Sequence, residues 1–495
     1  MNLLQKQGFY NSIILYTGTA LGFINLIFLF QRYLTIEQIG LFNLLIAISG
    51  IYAQLASAGT SNIILRYFPY FREKNEGFVS FVIALCTISF VILTLLFVIF
   101  RSPIIHYYQE KPGSSLLVNY YNYIVPLSFF TLVYITLESL ARAVFKNVLS
   151  AFLKEVLLRV FTLIAVLLVA AKVLQYNGFM HVYLWGNAFI SLVLLISIYR
   201  EQHFKLKRIS PQVLEKKGEL ISYGLFALLS GSTVVLIQNI DVFMLSVLAN
   251  DAIVGYYSTF FSLAVVINLP ARALSRTSYQ IISNAWKDND MAKIGKIYHK
   301  TSVVQCLLGC LLLVGLFVNR DNIVILLHKP GYDRYFNVFI IVGFAFLVDI
   351  TGGLNSHIIS SSKYYRLITL LLTLGVILCG VLNLVLIPKI GMAGAAVAYL
   401  VTMFLLNFSY WLFIKIKFKL QPFDRSFLVV FAIALISLVA GFYFPKLPNF
   451  IIDLICRSLI VGIIYTFLAY RFKISVDINQ VFDKLLFKSP GVKTK

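Results

Sequence analysis

The chain has 495 residues, of which 60% are hydrophobic and only 13% are charged, and its mean hydropathy is +0.86. This composition excludes an ordinary soluble globular fold and indicates a polytopic bundle of membrane-spanning helices. A formal net charge of +22 would suggest nucleic-acid binding in a soluble protein. Lysine and arginine accumulate in the cytoplasmic loops of membrane proteins, however, so we expect no nucleic-acid partner.

Windows of about 20 apolar residues predict an all-α polytopic membrane protein with about fourteen transmembrane helices. The predicted spans lie at 10–30, 40–60, 78–100, 118–140, 155–175, 181–199, 220–248, 255–271, 302–319, 335–359, 367–387, 394–414, 426–444 and 451–470. The first span is long enough for a full crossing and no clear cleavage site follows it, so we expect it to be retained.

The basic residues are distributed unevenly over alternate loops. Most of the 42 lysines and arginines fall in the N-terminal segment, in every second loop and in the C-terminal tail. The positive-inside rule therefore predicts that both termini are cytoplasmic. We expect a multi-pass protein of the cell (inner) membrane. The same distribution makes 200–219 a basic cytoplasmic linker and 471–495 a basic cytoplasmic tail.

A short internal sequence repeat indicates that the chain contains two related halves. The connector between the spans at 220–248 and 255–271 ends in Ile253-Val254-Gly255-Tyr256-Tyr257, and Glu37-Gln38-Ile39-Gly40-Leu41-Phe42 stands between two apolar spans near the N-terminus. Lys6-Gln7-Gly8 and Lys216-Lys217-Gly218 precede the two equivalent hairpins. We therefore predict that a second half-molecule begins near residue 220.

Asp241 is the sharpest candidate for a functional residue, because it lies inside the apolar run 220–248. An ionisable group in hydrocarbon is costly and usually functional, so we expect Asp241 to couple an ion to transport. Gln238 precedes it by three residues and shares its side of a helix. The alternative is a purely structural carboxylate that Gln238 or a neighbouring helix satisfies.

Two further polar positions within spans are weaker candidates for a cavity or ion-coupling site. Asp349 precedes Thr351-Gly352-Gly353, so the span at 335–359 is expected to be broken in its second half. Flexibility of a gating helix and simple packing both remain open for Asp349. Asn25 is an uncharged polar residue on the first span. The coupling ion, proton or sodium, is not determined by these residues.

A set of arginines at predicted cytoplasmic span ends forms the candidate site for a substrate diphosphate, because guanidinium forks match phosphate geometry. The set comprises Arg66, Arg142, Arg272 and Arg276. Each one alone is also explained as a positive-inside anchor. The i,i+4 spacings of Glu138 with Arg142 and of Glu155 with Arg159 predict helix-stabilising ion pairs.

No pattern typical of catalysis is present. The sequence contains no P-loop, no zinc-ligand spacing and no nucleophile elbow, and its five cysteines all fall inside apolar runs without a CxxC pair. We therefore expect a protein that is not an enzyme and that has no cofactor and no metal centre.

The N-terminal run YLTIEQIGLFNLLIAISGIYAQLASAGTSNIILRYFPYF (residues 33–71) resembles the polysaccharide-biosynthesis flippases of the Wzx type, in the multidrug/oligosaccharidyl-lipid/polysaccharide exporter superfamily. The segment Ile387–Ala396 is similar to the turn between the eleventh and twelfth helices of that family. The resemblance implies pseudo-symmetric six-helix lobes at 1–199 and 220–414 and two extra helices at 415–470. It also implies a central polar cavity, in which Asn25 and Asp241 would lie.

The function that the resemblance implies is movement of undecaprenyl-diphosphate-linked oligosaccharide from the inner to the outer leaflet, for O-antigen, lipopolysaccharide or other surface polysaccharide. The implied partners are the lipid-linked oligosaccharide, membrane lipids and other polysaccharide-assembly membrane proteins. An ion-coupled multidrug or cation antiporter of the same superfamily is the alternative. A membrane glycan polymerase or ligase is a second alternative, although such an enzyme would need a sizeable outward loop and the predicted outward loops are short.

Overall fold

The computed structural model describes residues 3–72, 77–144, 146–200, 206–474 and 479, and every regular element within them is helical. The α-helices are α1 Leu3–Phe23, α2 Phe30–Tyr33, α3 Ile36–Ala56, α4 Thr60–Arg72, α5 Phe78–Ile99, α6 Arg101–Glu110, α7 Ser115–Tyr120, α8 Ile124–Ala143, α9 Asn147–Phe152, α10 Leu158–Ala170, α11 Tyr176–Arg200, α12 Pro211–Glu215, α13 Lys217–Leu248, α14 Asp251–Ala264, α15 Leu269–Lys287, α16 Met291–Val318, α17 Arg320–Leu327, α18 Phe336–Thr351, α19 Asn355–Ser360, α20 Arg366–Ile390, α21 Met392–Phe418, α22 Arg425–Phe442 and α23 Phe450–Arg471. Two π-helical turns, Ile24–Leu29 and Leu153–Leu157, and two 3₁₀ turns, Tyr121–Tyr123 and Val265–Asn268, join some of these helices end to end.

The predicted class, a polytopic membrane protein made of helices, is confirmed. Within the described residues twelve helical stretches are long and apolar enough to cross a membrane, and they correspond to twelve of the fourteen predicted spans. The predicted span at 335–359 is instead the shorter apolar helix α18, because the chain breaks after Thr351. The predicted span at 155–175 is not among the twelve. It falls on the helical stretch 147–170, which carries the charged residues Lys154, Glu155 and Arg159.

The chain divides into two compact units. The first comprises Met1–Thr259 with Leu372–Ala395, and the second comprises Phe260–Leu371 with Ala396–Lys495. The lobes expected at 1–199 and 220–414 follow a repeat in the sequence rather than contacts, and they stay a prediction. Residues 201–205 of the basic linker and nearly all of the tail 471–495 lie outside the described residues.

Helix α3 is the centre of the first unit, where it packs against α5, α8 and α13. Its start is defined by a capping box, in which Gln38 N donates to Thr35 Oγ1 at 3.3 Å and Thr35 N donates to Gln38 Oε1 at 2.9 Å. This reciprocal pair satisfies amides that a helix start otherwise leaves open. The capped start directs the apolar run of α3 into the packed interior, where Leu41, Leu44 and Ala53 are buried.

The two glycines of the internal sequence repeat, Gly40 and Gly255, lie at one close contact between α3 and α14. A Cβ atom on Gly40 would come within 2.0 Å of the Asp251 carbonyl oxygen, and one on Gly255 within 2.1 Å of the Ile36 carbonyl oxygen. Each glycine therefore allows the backbone of the other hairpin to approach. The sequence repeat thus corresponds to a reciprocal backbone contact, which only a residue without a side chain permits.

In the second unit α16 packs against α15, α18, α22 and α23. Asp453 and Arg457 of α23 form a buried ion pair beside it, with Arg457 Nε 3.1 Å from Asp453 Oδ2. Asn322 Nδ2 donates to the same carboxylate at 2.5 Å, and Leu447 N donates to its second oxygen at 2.9 Å. Arg457 also donates to the Gly441 carbonyl oxygen at 2.6 Å, so the pair connects α17, α22 and α23.

Candidate functional site

Asp241 of α13 is 3% exposed, and its carboxylate is held by two other helices of the first unit. The Tyr257 hydroxyl of α14 donates to Oδ2 at 2.6 Å, and Asn383 Nδ2 of α20 donates to Oδ1 at 2.8 Å. The Cys379 thiol lies 3.4 Å from Oδ1. These partners are all neutral, and no ion pair to Asp241 is formed within the part of the chain that the structure describes. The carboxylate is thus hydrogen-bonded but not charge-compensated.

The local sequence explains why Asp241 points inward. It continues a buried stripe of α13 at four-residue steps, after Thr233 and Ile237 and before Leu245. Gln238, the partner expected from the same helix, lies beside this stripe and is exposed. The hydrogen bonds to Asp241 come from neighbouring helices instead, as the structural alternative had allowed for.

One of the hydrogen-bond partners of Asp241, Asn383, also has a side-chain oxygen that forms no hydrogen bond with the described residues. The amide oxygen of Asn383 is buried and has no hydrogen-bond partner among the described residues. The Asp241 carboxylate and the Tyr257 phenol oxygen meet at one buried place, and Asn383 Nδ2 faces the same carboxylate. Such hard oxygen groups suit a proton or a small hard cation. In the described part of the chain, no three His, Cys, Asp or Glu side chains come together as a metal-binding group.

Asn25 lies in the π-helical turn that continues α1, where its side chain is 4% exposed. Its Nδ2 donates to the Arg159 carbonyl oxygen at 2.9 Å, while its amide oxygen has no hydrogen-bond partner among the described residues. The Arg159 guanidinium donates to the Gly18 carbonyl oxygen and pairs with Glu155 at 3.0 Å. The predicted Glu155–Arg159 ion pair is thus present, and it also brings a cation close to α1.

The contact of Arg159 with α1 was not foreseen from the sequence. A Cβ atom on Gly22 would come within 2.5 Å of Arg159 NH1, so the missing side chain leaves room for the guanidinium. Gly18 and Gly22 are spaced i,i+4 on one side of α1, which was the available signal. A pair of glycines at this spacing on an apolar helix indicates a close neighbour.

Asp349 near the end of α18 belongs to a network of amides in the second unit. Asn407 Nδ2 donates to Asp349 Oδ1 at 3.1 Å, and Asn355 Nδ2 donates to the Asn407 amide oxygen at 2.8 Å. The helix ends at Thr351 and resumes at Asn355, so the predicted break is present. A Cβ atom on Gly352 would come within 2.5 Å of both asparagines, and the break therefore makes room for this network.

Two of the four candidate diphosphate-binding arginines lie in the first unit and two in the second. Arg66 lies against the Tyr223 ring, 4.5 Å from its centroid, and Arg142 forms the predicted pair with Glu138 at 2.5 Å; both belong to the first unit. Arg272 is exposed in the second unit. Arg276 lies in α15, but its side chain is outside the described residues. No convergence of the four is established, and their role stays a prediction.

A further buried carboxylate, Asp251, lies in the connector between the predicted spans at 220–248 and 255–271, and no pattern in the sequence singled it out. It is 1% exposed at the start of α14 and its backbone N donates to the Gly113 carbonyl oxygen at 3.2 Å. Lys111 donates from Nζ to the Ser246 and Val247 carbonyl oxygens at 2.6 Å each. Burial lowers the pKa of Lys111 to about 8, and the Asp251 charge opposes this shift. The end of α13 is thus capped by a lysine.

Residues 4–279 match the model of the polysaccharide biosynthesis protein family. The chain belongs to this family. It is also 20% identical over 452 residues to an uncharacterised membrane protein of Methanocaldococcus jannaschii, a match that covers 86% of this chain and 87% of the relative.

Solved structures with the same fold are transporters and flippases. A lipid II flippase, MurJ in an inward closed conformation, matches with a TM-score of 0.74 at 16% identity and covers 94% of this chain and 98% of its own. An inward-facing multidrug transporter of the MATE family in the MOP superfamily matches with a TM-score of 0.62 at 13% identity, covering 82% and 94%. At these identities the likeness shows the fold, and it is shared by flippases and antiporters alike.

Proposed function

We propose that this protein is a flippase that moves undecaprenyl-diphosphate-linked oligosaccharide from the inner to the outer leaflet of the cell inner membrane, with Asp241 coupling the step to a proton or sodium gradient. The observation that carries the coupling is a buried carboxylate whose hydrogen-bond partners are all neutral. The substrate class is supported by the family, which is one of polysaccharide biosynthesis. The lipid II flippase shares the fold.

The physical task explains why such a protein is needed. The polar sugars and diphosphate of the substrate cannot cross hydrocarbon unaided, since each unsatisfied polar group costs about 2–7 kcal/mol. In our proposal the lobes 1–199 and 220–414 enclose the head group while its lipid tail stays in the bilayer. Both termini are cytoplasmic, and Asn25, Gln238 and Asp349 line or control the cavity. Arg66, Arg142, Arg272 and Arg276 meet the diphosphate at the cytoplasmic mouth.

An uncompensated carboxylate can exchange an ion as its surroundings change. While Asp241 is closed off, binding a proton or sodium removes the cost of an isolated charge in a medium of low polarity. When the cavity opens to water on one side, the charge is solvated and the ion can leave. Alternating access then requires only that one lobe rocks against the other.

The decisive experiment is flipping of lipid-linked oligosaccharide in proteoliposomes with an imposed proton or sodium gradient. Asp241→Asn keeps the size and most hydrogen bonds of the side chain but removes the titrating charge. We expect it to insert at normal levels while its gradient-driven flipping falls to the level of protein-free liposomes. A matched control, Asp288→Asn, replaces an exposed aspartate and should flip as the wild type does.

The alternatives predict other outcomes in the same assay. An antiporter, which the MATE fold likeness supports, would drive a cationic drug across the membrane and leave lipid-linked oligosaccharide in place. A polymerase or ligase would lengthen or transfer the glycan without any gradient. An Asp241→Asn variant that flips at the wild-type rate with full gradient dependence would remove Asp241 from the mechanism.

A further inference from the structure

A basic and aromatic cavity of about 650 Å³ lies in the second unit, away from Asp349 and its amide network. Its walls come from the end of α15, the turn that follows α19 and the end of α21. Three lysines line it, Lys287, Lys363 and Lys417, and none of the described lining residues is acidic. We call it the three-lysine cavity. Its volume is that of a site for a small ligand or a lipid head group.

The three lysines are exposed and carry their charge into the cavity without a carboxylate partner. Among the described residues none of them forms an ion pair, and the Nζ atoms of Lys363 and Lys417 each lie 5.4 Å from the centre of the Tyr364 ring. The nearby Asp290 is engaged elsewhere, because its carboxylate accepts a hydrogen bond from Lys293 N at 2.9 Å and caps α16. Like charges gathered in this way produce a positive potential that attracts an anion.

Part of the lining of the three-lysine cavity is built from aromatic rings in contact. Phe418 lies edge-on to Trp286, with centroids 5.0 Å apart, and 6.0 Å from the Tyr364 ring. The Trp286 indole is fixed by donating to the Ile358 carbonyl oxygen at 3.1 Å. The Ser361 hydroxyl, also in the lining, is buried and has no hydrogen-bond partner in the part of the chain described. The cavity thus offers an apolar wall, three cations and an unused hydroxyl.

The position of the cavity along the helices points to the membrane surface. Helix α21 is one of the twelve apolar spans and ends at Phe418, and the α20 span begins at Arg366, directly after the cavity-lining turn. Trp and Tyr rings at span ends are typical of the interface between hydrocarbon and water. A ligand here would meet lysines and aromatic rings together at the end of a span.

We propose that the three-lysine cavity binds the phosphate head group of an anionic membrane lipid. Lysine ammonium groups act as point charges that attract a phosphodiester without a fixed geometry, whereas the fork of an arginine is the better match for bidentate phosphate recognition. The aromatic wall accounts for the glycerol and first methylene groups, which a soluble anion lacks. Basic pockets beside transmembrane helices bind head groups in this way. The proposal is independent of which substrate the protein moves.

The test compares two charge-matched triple variants in lipid nanodiscs. The site variant is Lys287→Gln/Lys363→Gln/Lys417→Gln, and the control is Lys216→Gln/Lys293→Gln/Lys296→Gln, whose lysines are exposed and outside the cavity lining. Binding of phosphatidylglycerol is measured by native mass spectrometry, and the melting temperature is followed as phosphatidylglycerol replaces phosphatidylcholine. Each lysine near a head group contributes about fivefold in affinity. We expect the site variant to lose on the order of 100-fold and the control to bind as the wild type does.

Three outcomes would overturn the proposal. The first is a site variant that binds phosphatidylglycerol as tightly as the wild type. The second is an equal loss in the control, which would mean that overall charge alone attracts the lipid. The third is binding of inorganic diphosphate, added to phosphatidylcholine nanodiscs, that is as tight as that of phosphatidylglycerol and is lost in the site variant but not in the control, since the cavity would then take a soluble anion. Equal melting temperatures of all three proteins in pure phosphatidylcholine establish that the variants are folded.

Discussion

Asp241 and Asp453 are both buried carboxylates on long apolar helices, but their surroundings differ in charge. Asp453 is bound on both oxygens by the Arg457 guanidinium, at 3.1 Å each, in the second unit. Asp241, in the first unit, has the hydroxyl of Tyr257 and the amide of Asn383 as its main partners. Both side chains are almost completely buried, at 3% and 4% exposed. The two carboxylates differ clearly in charge compensation.

The contrast separates a structural acid from a candidate functional one. A buried ion pair is stable only while both members are present, because either one alone is an uncompensated charge. Asp453 accordingly connects three helices and has no free capacity for a further cation. Asp241 has no cationic partner among the described residues, and each of the following predictions tests that distinction.

The largest effect is expected from breaking the compensated pair. Arg457→Leu leaves Asp453 buried without its cation, and this should lower the free energy of unfolding by about 3–5 kcal/mol. Thermal unfolding in detergent or nanodiscs measures the change. The double variant Asp453→Leu/Arg457→Met removes both charges and should recover most of the lost stability. If Arg457→Leu is as stable as the wild type, charge compensation is not what holds α23 in place.

A smaller loss is expected when the carboxylate of Asp241 is replaced. Asp241→Leu leaves the Tyr257 hydroxyl and the Asn383 amide buried without their acceptor, and it should lower the free energy of unfolding by about 1–3 kcal/mol. Asp241→Asn retains an acceptor and should stay within about 1 kcal/mol of the wild type. The same unfolding measurement distinguishes them. A loss of about 3–5 kcal/mol for Asp241→Asn would mean that the carboxylate charge is compensated after all, as at Asp453.

The smallest effect is expected from removing a single hydroxyl group that donates to Asp241. Tyr257→Phe removes one hydrogen bond to Asp241 and should cost about 1 kcal/mol. The half-maximal ion concentration for flipping should shift by about fivefold: it falls for a proton, because the hydroxyl stabilises the charged carboxylate, and it rises for sodium, because an oxygen ligand is lost. Tyr465→Phe is the matched control, because its buried hydroxyl donates to the Leu307 carbonyl oxygen at 2.7 Å, in the other unit. It should cost similar stability and leave the ion dependence unchanged. Equal ion dependence in both variants would place Tyr257 outside the coupling site.

The sequence indicated Asp241 more clearly than it indicated Asp453 or the three-lysine cavity. Asp241 stands out because a single acid in a long apolar run has few explanations. Lys287, Lys363 and Lys417 each look like an ordinary positive-inside residue, and only the folded chain brings them into one cavity. Asp453 and Arg457 have the i,i+4 spacing of a surface ion pair, but burial makes the pair part of the packing between helices.

Local properties of the chain were therefore sufficient for the class of fold, for twelve of the spans and for the break after Thr351, because hydropathy and helix breakers act within about 20 residues. The sequence also singled out Asp241 for the same local reason. The partners of Asp241, by contrast, were decided by tertiary structure alone. Tyr257 follows it by 16 residues and Asn383 by 142, on helices whose facing sides depend on packing. A helix cannot satisfy an inward carboxylate from its own adjacent side chain when that side chain, here Gln238, falls outside the buried stripe.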